Sequence, residues 1–166
     1  IYGTELNIDE GSLITAILLV QFVGIPFAIF FGVLAGKIGA KLSVTISLIV
    51  YAGISVFGYF MKTATHFYIL AILVAMVQGG SQALSRSLFA TLIPKEKSAE
   101  FFALFAVCEK FAGILGPIVF MAMIAATGSS RSAVFAVIIF FIVGGCLLQL
   151  VNVAEGQKAA RAAEAA

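Results

Sequence analysis

Charge is what this sequence has least of. Asp, Glu, Lys and Arg make up 11% of the 166 residues, against 62% hydrophobic. A soluble domain of this size cannot hide that much apolar surface inside itself, so its outer surface is expected to face hydrocarbon. The net charge is +2 and the cations form no basic patch, so no nucleic acid is expected as a partner. A single histidine, His66, leaves a metal centre poorly supplied, and no cofactor is expected. Histidine–aspartate clusters and a serine nucleophile with a nearby base are also missing, which argues against an enzyme. The two cysteines, Cys108 and Cys146, sit inside apolar stretches and read as buried small hydrophobes rather than a disulfide or ligand pair. There is no signal peptide and no initiator methionine. Opening on Ile1, the chain reads as a piece of something longer.

What it has in abundance is apolar sequence in runs of membrane-spanning length. Five are visible: Ser12–Leu34, Leu42–Phe60, Phe67–Leu88, Ala99–Ala125 and Ala133–Val153. Each reaches about the 20 residues that a hydrocarbon core of about 30 Å requires of a helix. Short polar breaks ("GKIGAK", "MKTATH", "IPKEKS", "GSSRS") make neighbouring helices antiparallel. The reading is an all-α membrane protein in three parts: residues 1–11 as an external opening segment, 12–153 as a five-helix bundle, and 154–166 as a cytoplasmic tail, frayed and interfacial. Lys37, Lys41, Arg86, Lys95, Lys97, Lys158 and Arg161 fall on one side, Lys62 and Arg131 on the other. That asymmetry puts the N-terminus outside and the C-terminus in the cytoplasm.

The third run carries a polar stripe. Gln78, Ser81, Gln82, Ser85 and Arg86 fall within an arc of roughly 140° on a helix, and such a stripe cannot face lipid. It serves either as polar glue between helices or, as the stronger reading, as one wall of a water-filled path. The fourth run places Glu109 and Lys110 in the middle of apolar sequence, where ionisable groups by default mark a pathway or relay. Their alternative role is a charge pair holding the bundle together. Counted from Ser98, Glu109 lies about 16 Å deep, level with Gln78, while Arg86 lies a turn or two nearer the cytoplasm. An Arg86–Glu109 ion pair is therefore not expected, and Arg86 is assigned to Glu100, helix-end carbonyls or a lipid phosphate. Gly113, Gly116 and Pro117 mark a kink or soft point in this helix, and Pro26 another in the first. The first run also spaces Gly24, Ala28, Gly32 and Gly36 every four residues as a close-packing face. Gln21, one turn before Pro26, serves either an interhelical bond or the solute. The second and fifth runs read as peripheral.

Two segments resemble a known family. "GVLAGKIGAK" is similar to the gating motif of the major facilitator superfamily, with Gly32, Ala35, Lys37, Gly39 and Lys41 matching and Gly36 where the family has Asp. "VQGGSQALSRSLFATLIP" followed by "EFFALFAVCEKFAGILGP" resembles the branch of the fungal vacuolar amino-acid effluxers and their prokaryotic relatives. The resemblance implies that the five spans are helices eight to twelve of a twelve-helix transporter in a prokaryotic cell membrane, and that residues 1–11 are the outer end of a truncated helix seven with its external loop. The missing N-terminal helices and the lipid bilayer would then be its partners.

The function expected is secondary transport of a small solute, amino acids by resemblance, through alternating access. Glu109 is the candidate for proton coupling. The competing readings are a channel, for which no repeated pore element or Gly-rich filter is present, and a structural bundle without transport of its own.

Overall fold

The computed structural model describes residues 10–61 and 63–164. The expected helix remnant over residues 1–9 and Lys62 lie outside these. The described chain forms α1 (Glu10–Ile38), α2 (Ala40–Tyr59), α3 (Ala64–Ala90), α4 (Ser98–Thr127), α5 (Ser130–Leu150) and α6 (Val153–Glu164), with a 3-10 turn at Lys95–Lys97. No strand occurs among the described residues. The first helix already contains Glu10 and Gly11, ahead of the apolar run. Both α1 and α4 are assigned as single helices through Pro26 and Pro117.

Four helical stretches, Ile14–Ile38, Ala40–Tyr59, Thr65–Ala90 and Lys95–Thr127, are long and apolar enough to cross a membrane. A fifth is reached by counting Ala136–Leu150 together with α6, beyond a bend of 59°. The 21 residues of α5 span about 30 Å by themselves. Past the bend the chain changes character: α6 carries Glu155, Lys158, Arg161 and Glu164. The protein is thus an all-α membrane protein.

The helices pack in sequence as a row, α1 against α3, α3 against α2, α2 against α5 and α5 against α4, with a lesser contact of α1 on α2; α3 and α4 meet through a few side chains. A core of Phe31, Val44, Ile54, Val77 and Leu84 joins α1, α2 and α3. At the end of the row, α4 has no buried residue among those described. Cys108 and Cys146, expected inside, lie on exposed faces, because the apolar sequence around them faces outward into hydrocarbon rather than into a core. The second helix combines two roles. Leu42, Ile49, Val56 and Phe60 form an outward stripe, while Ser43, Val44, Ser47 and Ile54 are buried between α3 and α5. Its hydroxyls are satisfied locally, Ser43 donating to the Gly39 carbonyl at 2.9 Å and Ser47 to that of Val44 at 2.7 Å. Such back-bonding lets a serine pack like a small apolar residue.

Candidate transport path

The closest helix contact brings α1 and α3 together through glycine. A Cβ added to Gly79 would lie 2.8 Å from the Gly24 carbonyl oxygen, and one on Gly80 would fall 2.4 Å from Phe31. Gly24 and Ala28 supply the matching surface on α1, as small residues do where backbones meet in lipid. Gly32 and Gly36, expected to extend this face, have no neighbour within 4 Å. The pairing glycines of α3 lay unread inside the polar stripe, where "QGGSQ" was the signal.

Beside this contact lies a cleft of 230 Å³, lined by Gln21, Gly24 and Ala28 from α1 and by Gln78, Gly79 and Gln82 from α3. Gln21, Gln78 and Gln82 therefore face one space. Among the described residues, none of the three side-chain amides makes a hydrogen bond. The serines of the stripe are engaged elsewhere. Ser81 donates to the Gln78 carbonyl at 3.1 Å and Ser85 to the Ser81 carbonyl at 2.8 Å. Ser81 also lies beside Tyr51 on α2, whose ring stacks on Phe141 of α5 with centroids 5.0 Å apart. The stripe thus divides: its glutamines face the cleft and Ser81 faces a neighbouring helix.

Arg86 completes the stripe and corrects the expectation made for it. Its Nη2 donates to both carboxylate oxygens of Glu109, at 3.0 and 2.9 Å. Helix register explains the difference. Phe89 of α3 packs on Phe102 and Phe105 of α4, with ring centroids 5.5 and 4.9 Å away. Residue 89 therefore lies level with residues 102–105, and the first turn of α4 begins beyond the end of α3. Three residues higher on α3, Arg86 falls within a few ångströms of the level of Glu109 at about 1.5 Å per residue. Counting each helix from its own polar break had aligned their ends instead. Arg86 and Glu109 are both about half exposed, at 57% and 45% of their side-chain surface. Lys110 turns away from Glu109 and, with Ala106, Val107, Phe111 and Ile114, lines a separate groove. The carboxylate is paired across helices, and the Glu109–Lys110 pair is not formed. Gly113 and Gly116 have open space beside them, and Gly116 and Pro117 line an apolar groove of 720 Å³ between α4 and α5.

The gating-motif residues sit at the end of the bundle that carries most of the lysines. Gly39, between α1 and α2, adopts φ +89°, a conformation that a side chain opposes. Lys37 lies in the last turn of α1, where a cation suits the helix dipole. Lys41 reaches across to α5, its Nζ donating to the carbonyls of Gln149 at 3.0 Å and Val151 at 2.8 Å. It caps the C-terminal end of that helix, whose last carbonyls have no partner of their own. Gln149 in turn donates to Thr45 Oγ1 at 2.9 Å.

The tail beyond the bend is not frayed. Asn152 Oδ1 accepts from the Glu155 amide at 3.2 Å while Asn152 Nδ2 donates to the Glu155 carboxylate, a relative of the capping box. The helix that follows lies under α3: Gln157 donates to Thr91 Oγ1 at 3.2 Å, and Glu164 accepts from the Lys95 amide at 3.1 Å. Ala160 is buried in this contact. "NVAE" carried the start signal, and the small residues of the Ala-rich stretch allow the close approach.

Comparison with known proteins accords with this arrangement. The family model described as "Vacuole effluxer Atg22 like" matches residues 1–161. The "Uncharacterized MFS-type transporter YxiO" of Bacillus subtilis (strain 168) is 42% identical over 150 residues, covering 90% of this chain and 35% of the relative. Autophagy-related protein 22 of Kluyveromyces lactis is 34% identical over 101 residues, 61% of this chain and 20% of the relative. Its namesake in Yarrowia lipolytica is 27% identical over 165 residues, 94% of this chain and 28% of the relative. The chain thus spans about a third or less of these relatives' length. No solved structure matches it. A family match over residues 1–161 and a row of apolar helices with a polar cleft lead to one conclusion: the chain belongs to the Atg22-like vacuole effluxer family of MFS-type transporters.

Proposed function

We propose that this chain forms the C-terminal half of a secondary transporter that moves a small solute by alternating access. The observation that carries the reading is the cleft where Gln21, Gln78 and Gln82 converge with unbonded amides. Polar groups at that depth without protein partners need water or solute to satisfy them. On this reading the five spans are helices eight to twelve of twelve, and the remaining helices supply the opposite wall. The basic end, with Lys37, Lys41, Lys95 and Lys97, faces the cytoplasm by the charge asymmetry of its turns, and the membrane is a prokaryotic cell membrane. Amino acids are the solute class to which the resemblance points, and the chemistry is transport, not catalysis. Glu109 is the proton carrier: it is the acid in the central part of α4, and its ion-pair partner, Arg86, sits on a different helix.

The test uses the complete transporter in proteoliposomes, assayed for L-leucine counterflow and for accumulation under a pH gradient. Cysteines placed at Lys97 and Ser130 report orientation by labelling from opposite faces. Both transport modes are expected in the wild type, while Glu109→Gln keeps counterflow and loses gradient-driven accumulation. Accumulation by Glu109→Gln in proportion to the pH difference would remove the proton role. Absence of solute movement in the wild type, across amino acids and neutral solutes alike, would remove the transporter reading.

A further inference from the structure

The Arg86–Glu109 pair has an arrangement that a purely structural ion pair does not need. Both carboxylate oxygens of Glu109 are held by the same guanidinium nitrogen, Nη2. Neither group is enclosed, and α3 and α4 do not pack closely along their length: α4 rests on α5. The pair lies just above the Phe89–Phe102–Phe105 cluster, which closes the space between α3 and α4 toward the basic end. One turn along α3 from Arg86 is Gln82, which lines the amide cleft. The guanidinium, one helical turn from the lining of that cleft, is occupied by a carboxylate of its own chain, in the place a ligand carboxylate would take. Arginine suits this work because its planar fork matches a carboxylate and its charge does not titrate.

We infer that Arg86 is the residue that selects the solute, binding its carboxylate in exchange for Glu109, and that the released Glu109 takes up one proton from solution. This rests on the transporter reading and specifies its binding site. The exchange balances. Before it, Arg86 and Glu109 neutralise each other; after it, Arg86 is neutralised by the solute carboxylate and Glu109 is a neutral acid. Net charge in the path is unchanged for a monocarboxylate with one proton. The charged groups around Glu109 fit this. Arg86 faces it from α3, and Lys110 on its own helix lines the groove on another side. The neighbouring α5 carries Arg131 in its first turn and the thiol of Cys146 near its other end. Once Arg86 turns to the solute, no second described side-chain cation faces Glu109, and the incoming proton takes the place of the guanidinium in balancing its charge.

The experiment measures binding by titration calorimetry on the purified complete transporter, in two buffers of different ionisation enthalpy so that proton uptake is read directly. The probes are isovalerate (carboxylate alone), L-leucine (carboxylate and ammonium), L-leucinamide (ammonium alone) and sorbitol (neither). Isovalerate is expected to bind with uptake of about one proton, L-leucine to bind with less because its own ammonium can balance the released Glu109, and leucinamide and sorbitol not to bind. Arg86→Lys should weaken carboxylate binding about tenfold or more, because the fork is lost while the charge remains. Glu109→Gln should bind the same probes more tightly and without proton uptake. Since Arg86→Gln leaves Glu109 unpaired and risks misfolding, the neutral double variant Arg86→Gln/Glu109→Gln serves as the loss-of-site control and should not bind isovalerate. Isovalerate binding without proton uptake in the wild type, or undiminished in the double variant, would overturn the inference. Counterflow separates the two levels. A transporter that moves leucinamide or sorbitol but neither carboxylate keeps the transport reading and loses this one, whereas one that moves none of the four loses both.

Discussion

The carbonyl oxygen of Gly24 lies 2.8 Å from where a Cβ on Gly79 would stand, so α1 and α3 meet backbone to backbone. The atom in the way is main chain and cannot swing aside. Gly79→Val should therefore force the two helices apart, at an overpacking cost of about 1–3 kcal/mol, and lower the thermal unfolding midpoint of the detergent-solubilised protein. Gly116→Ala, with open space beside it, is the matched control and should leave the midpoint unchanged. Equal midpoints for the two variants would mean that the α1–α3 contact contributes nothing to stability.

The division of the α3 stripe can be read with thiol chemistry. Gln78 lines the cleft, whereas Leu84 is 5% exposed and belongs to the core. In a background lacking Cys108 and Cys146, a cysteine at Gln78 should react with a small charged methanethiosulfonate and be slowed by transported solute. A cysteine at Leu84 should stay unreactive under the same conditions. Comparable rates at the two positions would count against a wet cleft.

Gly39 tests the turn between α1 and α2. With φ +89° and ψ 150°, it holds a conformation that glycine alone adopts readily, at a cost to any side chain of about 1–3 kcal/mol, yet a Cβ there would touch nothing. The penalty is confined to the backbone. Gly39→Val is expected to slow counterflow severalfold, by tilting Lys41 away from the end of α5, and Gly39→Ala to do the same because the cost does not depend on side-chain size. A Gly39→Val protein with an unchanged rate would show that the turn has no gating role.

Hydropathy made the helices legible because a membrane span is a composition before it is a structure, and their boundaries shifted by only a few residues at polar breaks. The grouping of Gln78 with Gln82 was legible for a similar reason, since helical period alone sets which residues share a face. What could not be read was anything fixed by the relative height of two helices. Arg86 and Glu109 looked separated in depth because each was counted from its own helix end, and the offset that joins them is set by Phe89 wedging against Phe102 and Phe105. Nothing local to those phenylalanines distinguishes them from the others in the sequence. The docking of α6 was missed for another reason. An alanine-rich charged stretch has little apolar surface to signal burial, and its contacts depend on Thr91, Leu92 and Lys95 being presented at the right place.

The bonds from Lys41 to Gln149 and Val151 join residues 108 and 110 positions apart, and that from Lys95 to Glu164 spans 69. A nascent chain emerges N-terminus first, so the α1–α2 turn and the start of α4 wait for residues made much later before they find these partners. Fastening of the basic end therefore comes after insertion of the helices it joins. A ribosome stalled before Gln149 would hold helices already inserted but not yet clamped together. In that interval the terminal carbonyls at this end remain open to water, to lipid headgroups, and to the insertion machinery.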